Sequence, residues 1–173
     1  QEIYELKYDL RLSIPKQKSM PVEGEIHVRF RLNKAQEVIL DFREEADKIK
    51  EVSANGLPTS YEFRNEHIIL PKNTTQKGKN DIYIRFTAGN QSLNRNDEFL
   101  YTLLVPDRAR TVFPCFEQPN LKASFTLQLD IPSEWVAVSN TYINKEEERE
   151  GKKSIYFAPT EPLSTYLFSF VAG

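Results

Sequence analysis

Few residues of this sequence can carry chemistry by type. They are two histidines, His27 and His67, one cysteine, Cys115, and one carboxylate, Glu117, that stands in a conspicuous proline-punctuated stretch, RTVFPCFEQP. A catalytic zinc takes three protein ligands, commonly two histidines one helical turn apart plus a carboxylate. His27 and His67 fall on different predicted strands, each on the polar side of an alternating pattern, so they do not form that pair and both read as surface histidines. Cys115 would be a nucleophile beside a histidine, but between Pro114 and Phe116 it reads as a buried structural thiol. Glu117 would need a second carboxylate close in space for acid-base work. There is no G-x-S-x-G elbow, P-loop or G-x-G-x-x-G, and the six glycines are scattered singly. By its own residues the chain reads as a non-catalytic domain with no metal set and no cofactor.

The elements that must position these residues are strands. Tyr8, Leu10, Leu12 and Ile14 alternate with polar residues until Pro15. Val22, Ile26, Val28, Phe30 and Leu32 share one face of a second strand. Val38 to Phe42 repeats the pattern, and REEADKIKEV after it leaves room for one helical turn. Asn55-Gly56-Leu57-Pro58 reads as a hairpin turn between Ile49–Ala54 and Tyr61–Phe63, with His67–Leu70 next. Ile82 to Phe86 alternates, GNQSLNRNDE reads as a polar loop, and Phe125 to Ile131 alternates again. Trp135–Ser139 reads as a short strand, KEEEREGKK as a solvated hairpin tip, and Tyr166, Phe168 and Phe170 as a last strand. Many short strands with no sustained helical period predict an all-β fold, a sandwich or saddle-like arrangement of two or more mostly antiparallel sheets.

Length and charge bound the rest. At 173 residues one domain, 1–173, is expected, with roughly 70% of the unfolded chain's surface buried. Lys plus Arg number 23 against 25 Asp plus Glu, a balance that offers no field for nucleic acid or an anionic membrane. One cysteine makes no internal disulfide, and no apolar run reaches the ~20 residues of a membrane helix. The start, QEIYELKYDL, lacks the signal-peptide pattern, and the compartment stays open between the cell envelope or export and the cytoplasm. Asn73-Thr74-Thr75 and Asn90-Gln91-Ser92 match glycosylation sequons that matter only in a eukaryotic secretory setting.

The segment Ala109 to Asn140, ARTVFPCFEQPNLKASFTLQLDIPSEWVAVSN, resembles a signature segment of the N-terminal domain of M1-family zinc aminopeptidases. The likeness runs through Arg110, Phe113 to Phe116, Pro119, Lys122, Ala123, Phe125, Trp135 and Ser139-Asn140. YDLRLSIP with VEGEIHVRF resembles the family's opening strands, and YLFSFVAG the strand that leads into the catalytic domain. Glu117-Gln118 stands where Asp-Glu is commoner. The resemblance implies a non-catalytic domain whose structural motif is Arg110, Pro114, Cys115, Phe116, Glu117 and Pro119. It also implies a catalytic domain after residue 173 in the parent protein, packed in cis, with the family's zinc on the H-E-x-x-H segment and the G-x-M-E-N loop there.

By family position Leu103, Val105 and Pro106 are substrate-proximal. Family members often place Gln-x-Glu or Gln-x-Gln at Leu103 and Val105 to hold the free amine of a peptide's N-terminus, and neither side chain here accepts a hydrogen bond. The same resemblance implies a cis bond between Val105 and Pro106, which proline makes accessible. FLYTLLVP carries more apolar surface than a connector needs, so exposed apolar area is expected around Leu100 to Pro106. Two other classes fit the residues: a non-catalytic interaction scaffold of the same architecture, and a free-standing β-sandwich binding module for carbohydrate or protein.

Overall fold

The computed structural model describes residues 2–173. The strands are β1 (Tyr4–Ser13), β2 (Glu23–Leu32), β3 (Val38–Asp41), β4 (Ile49–Ala54), β5 (Leu57–Pro58), β6 (Glu62–Arg64), β7 (His67–Leu70) and β8 (Gly78–Thr87). They continue as β9 (Leu93–Arg95), β10 (Leu100–Thr102), β11 (Ser124–Pro132), β12 (Ala137–Ser139), β13 (Ile143–Arg149), β14 (Lys152–Phe157) and β15 (Phe170–Ala172). Three sheets result. The largest has the order β13-β14-β11-β1-β2-β8-β4-β5, the second β12-β15-β10-β9, the third β3-β7-β6. All pairings between these strands are antiparallel except β1 with β11, where Lys7 to Ser13 run beside Ser124 to Asp130 in the same direction.

Alternation in the sequence becomes inside and outside here. Gly24, Ile26, Val28, Phe30 and Leu32 of β2 point into the core while Glu25, His27, Arg29 and Arg31 stand outward. Burial of each large apolar side chain contributes roughly 1.5–3 kcal/mol, and one continuous core joins all three sheets. Both small sheets cover the same face of the large one. Phe125 of β11 stacks on Phe168 at 4.6 Å between centroids, below the second sheet, and Phe86 of β8 meets Phe42, just after β3, at 5.7 Å.

The opposite face of the large sheet is charged and self-paired. Arg11 Nε donates to Asp130 at 2.8 Å and its Nη1 lies 3.6 Å from Glu25, Arg29 pairs with Asp9, and His27 Nδ1 lies 2.9 Å from Asp81. The pairs exposed on both sides add little stability but keep the face wet, whereas Asp130 is itself buried. An open depression of ≈ 820 Å³ lies on this face, lined in part by Arg11, Asp130, Ser154 and Tyr156.

Local expectations are corrected at several places. The hairpin after β4 turns at Asn55-Gly56, where φ is +51° and +84°, but returns through Leu57–Pro58, and the strand expected at Tyr61–Phe63 is Glu62–Arg64, which joins β7 in another sheet. KEEEREGKK is largely strand: Lys145 to Arg149 pair with β14, and the tip is only Glu150-Gly151. An edge strand wet on both faces shows no alternation, and its charges oppose edge-to-edge pairing. Tyr166 and Phe168 are not in a strand, because Thr165–Leu167 forms a 3-10 turn and the strand is Phe170–Ala172. The polar loop GNQSLNRNDE contains β9, which pairs with β10. Trp135 lies in a turn ahead of Ala137–Ser139, and the helical turn expected after Phe42 is a 3-10 turn at Ala46–Lys48.

Candidate functional site: an exposed segment and its fastening turn

Beyond β10 the two-residue alternation outlasts the ladder. Leu103 is 54% exposed, Leu104 3% and Val105 45%. Leu104 is the anchor: its side chain enters the core and its carbonyl accepts the Arg108 N–H at 2.9 Å. Leu103, Val105 and Pro106 therefore face outward, as the excess of apolar residues there implies, and the Val105–Pro106 bond is cis. A 3-10 turn, Ala109–Thr111, follows, with the Thr111 hydroxyl 2.7 Å from both Ser92 Oγ and the Arg108 carbonyl.

The stretch from Arg110 to Pro119 fastens this segment to the rest. Cys115 forms an antiparallel bridge with Asp41, its carbonyl accepting the Asp41 N–H at 2.7 Å and its N–H donating back at 3.1 Å. The Phe116 N–H donates to the buried Tyr8 hydroxyl at 2.9 Å. Phe113 packs edge-on against Phe168 and Phe116 edge-on against Phe30, so the two aromatic rings around Pro114 and Cys115 reach different parts of the core. The Pro119 carbonyl accepts the Ser164 hydroxyl at 2.6 Å.

Glu117 is the centre of the turn. Its N–H donates to Asp41 Oδ2 at 2.9 Å, Oε2 accepts the Arg110 N–H at 2.7 Å, and Oε1 accepts the Thr165 hydroxyl. Arg110 also places its carbonyl on the Arg43 N–H at 2.7 Å and its Nη2 on Asp107 at 3.1 Å. Burial raises the Glu117 carboxyl above its ordinary range, against the lowering effect of the Thr165 and Arg110 bonds. Burial first, and the charges of Glu117 and Asp41 next, push the Cys115 thiol well up. A thiol held protonated among carboxylates is no nucleophile. The expected structural motif is thus brought together. Asp41, Tyr8 and Thr165, its partners, carry no sequence signal, being far from it along the chain.

The histidines stay apart. His27 lies in the large sheet and His67 in the three-stranded one, where its Nδ1 is 3.5 Å from Asp41 Oδ1. Among the described residues no three of His, Cys, Asp and Glu group as metal ligands, so a zinc ion finds no fitting set here. No helix among the described residues is long and apolar enough to cross a membrane, which leaves β-barrels unaddressed.

Three sheets on one core, with a fastening turn and an outward apolar segment, make a nearly all-β domain. The chain belongs to the Peptidase M1 N-terminal domain family, whose profile matches residues 4–167. It is 29% identical over 192 residues to Aminopeptidase 2, mitochondrial, of Saccharomyces cerevisiae, covering 97% of this chain and 20% of that protein. It is 32% identical over 142 residues to Aminopeptidase N of Streptomyces lividans, covering 74% of this chain and 16% of that one. The chain thus spans about a fifth or less of the length of these relatives. An M1 zinc metallopeptidase from Deinococcus radiodurans shares the fold over 100% of this chain and 42% of its own, with a TM-score of 0.83 and 18% identity.

Proposed function

We propose that this chain is the non-catalytic N-terminal domain of a zinc-dependent aminopeptidase, packed in cis against the catalytic domain, with Leu103 to Pro106 forming part of the wall of the substrate cleft. The observation that carries it is the outward stance of Leu103 and Val105 around buried Leu104, at the positions where resembling family members carry amine-holding side chains. Neither side chain here accepts a hydrogen bond. Recognition of a peptide's N-terminal amine falls instead to the catalytic domain and to backbone carbonyls. Of the three carbonyls from 103 to 105, that of Leu104 already serves Arg108. The zinc belongs to the parent's catalytic domain, where it supplies the Lewis acid and the activated water of peptide hydrolysis.

The test compares the parent protein with this chain alone by metal analysis and hydrolysis of an aminoacyl reporter. The parent is expected to carry zinc on an H-E-x-x-H helix after residue 173 and to turn over the reporter, and the 173-residue chain to do neither. Stoichiometric zinc on this chain, or turnover by it that is lost on changing His27 or His67, overturns the reading.

A further inference from the structure

We infer that Ser92 is a positioning residue for the proposed cleft wall, holding both ends of the loop that carries Leu103, Val105 and Pro106. The inference rests on the proposed function and adds to it the groups that set where the wall stands. Ser92 lies in the turn just ahead of β9 and is 1% exposed. Its carbonyl accepts the Leu103 N–H at 3.4 Å, where the loop leaves the ladder of β10. Its hydroxyl lies 2.7 Å from that of Thr111, which is equally buried at the end of the 3-10 turn. One buried serine therefore closes the loop from 103 to 111 on itself.

The supply of protons orders these bonds. Thr111 has a single hydroxyl proton and two partners at 2.7 Å, Ser92 Oγ and the Arg108 carbonyl. A carbonyl only accepts, so Thr111 donates to Arg108 and Ser92 donates to Thr111. The Arg108 N–H in turn donates to the Leu104 carbonyl at 2.9 Å. A chain of bonds thus runs from Ser92 through Thr111 and Arg108 to the anchor that lies between the two outward side chains. Bonds joined head to tail in a buried setting polarise one another, and each fixes a distance and a direction that apolar contact leaves free. The backbone makes the same approach: a Cβ at Gly89 would lie 2.0 Å from the Thr111 carbonyl oxygen and 2.5 Å from Glu44 Oε1. Glycine alone leaves the turn ahead of β9 room to press against Thr111 there.

The wall needs such a brace because no strand continues it. From Leu103 to Arg108 the chain is in no strand, and Leu103 and Val105 stand about half exposed. Its place is set by the Leu104 side chain, by the Glu117 turn beyond Arg110, and by Ser92, which ties its start to its end. A displacement of about 1 Å in a group that positions substrate costs as much as ~10²-fold in rate. Being buried, Ser92 does not itself reach a substrate and acts through Leu103 and Thr111.

The test uses the parent protein and an aminoacyl reporter, with kcat, KM and thermal melting measured for each variant. Ser92→Ala removes the first donor, Thr111→Val removes the relay at constant shape, and Thr111→Ser keeps the hydroxyl. In Ser92→Ala and Thr111→Val KM is expected to rise about tenfold with kcat changing less, the sign of lost uniform binding at the wall. Thr111→Ser should stay within about twofold of the parent, and Ser92→Ala/Thr111→Val should be no worse than Thr111→Val, since both act on one chain of bonds. A merely structural pair lowers the melting temperature and leaves KM in place, so an unchanged KM in folded Ser92→Ala overturns the inference. Losses that multiply in the double variant break the shared chain and overturn it as well. Where Thr111→Val does not fold, Ser92→Ala and Thr111→Ser decide the matter. A parent without turnover removes the functional reading and the positioning role with it, whereas turnover with KM unchanged in the variants removes the positioning role alone.

Discussion

The Thr165 hydroxyl donates to Oε1 of Glu117, whose other oxygen accepts the backbone N–H of Arg110 at 2.7 Å. One carboxylate thereby joins the turn that follows β10 to the segment that enters β15, two neighbours in the second sheet. Replacing Thr165 by valine keeps the shape and removes the donor. The expected loss is about 1–2 kcal/mol. In urea unfolding the midpoint should fall with no change in slope.

Acid response separates two carboxylates. Burial acts to raise Asp130, but the bonds from Ser154, Arg11 and Gln128 outweigh it and leave the group below its ordinary value of 3.8. The stability it contributes is present above that value and is lost as pH falls through the lower folded one. Glu117 has the opposite sign. Its raised folded value means that its contribution is full below the ordinary 4.5 and is lost as pH rises through the folded value. Urea midpoints measured against pH should show a weaker acid-side fall in Asp130→Asn, and a weaker decline above 4.5 in Glu117→Gln.

Gly24 is the inward residue of β2 that has no room for a side chain. A Cβ there would lie 2.6 Å from Phe86 Cζ and 2.9 Å from Leu12 Cδ2. Gly24→Ala should cost about 1–3 kcal/mol through overpacking. Shortening the ring in Gly24→Ala/Phe86→Leu should make the two losses less than additive, and thermal melting of the four proteins closes that cycle.

Strand faces were legible and strand neighbours were not. Tyr8 to Ile14 and Val22 to Leu32 announce their inward sides because each strand is wet on one face only. The same pattern is silent on the parallel pairing of β1 with β11, since alternation records burial and says nothing of which backbone lies alongside. Phe168 and Phe170 are both buried and so mimic one strand, yet the side-chain bonds of Ser164 and Thr165 to the 117–119 segment coincide with a 3-10 turn between Ser164 and Phe168. At the candidate site the exposed stance of Leu103 and Val105 followed from composition. The partners of Glu117 did not, because Asp41 and Thr165 meet it only through the tertiary fold.

Cys115 is the cysteine of this chain and is fully buried with its thiol held protonated. It should resist a disulfide reagent in native buffer and react promptly in urea. Reaction through opening of the fold follows the rare open population, so native labelling should be slower by a factor on the order of 10³ or more. Rapid native labelling would show that the bridge to Asp41 opens independently of the core.

Val105 offers the sharpest test of the cleft wall. It is half exposed and follows a buried anchor, so a polar replacement should cost the fold no more than ~0.5 kcal/mol. A carboxylate at this position would accept a charge-assisted hydrogen bond from a substrate ammonium, worth about 1.5–3 kcal/mol. At about 1.4 kcal/mol per factor of ten, that is roughly a 10- to 100-fold gain in affinity. In the parent protein Val105→Glu should lower KM for an aminoacyl reporter by about tenfold or more, with kcat changing less, the sign of added uniform binding. Val105→Gln should recover a smaller share, being an uncharged acceptor. A substrate analogue lacking the amine, assayed as a competitive inhibitor, should gain nothing from either change. An unchanged KM in both variants would place Val105 away from the substrate and confine the Leu103 to Pro106 segment to holding the two domains together.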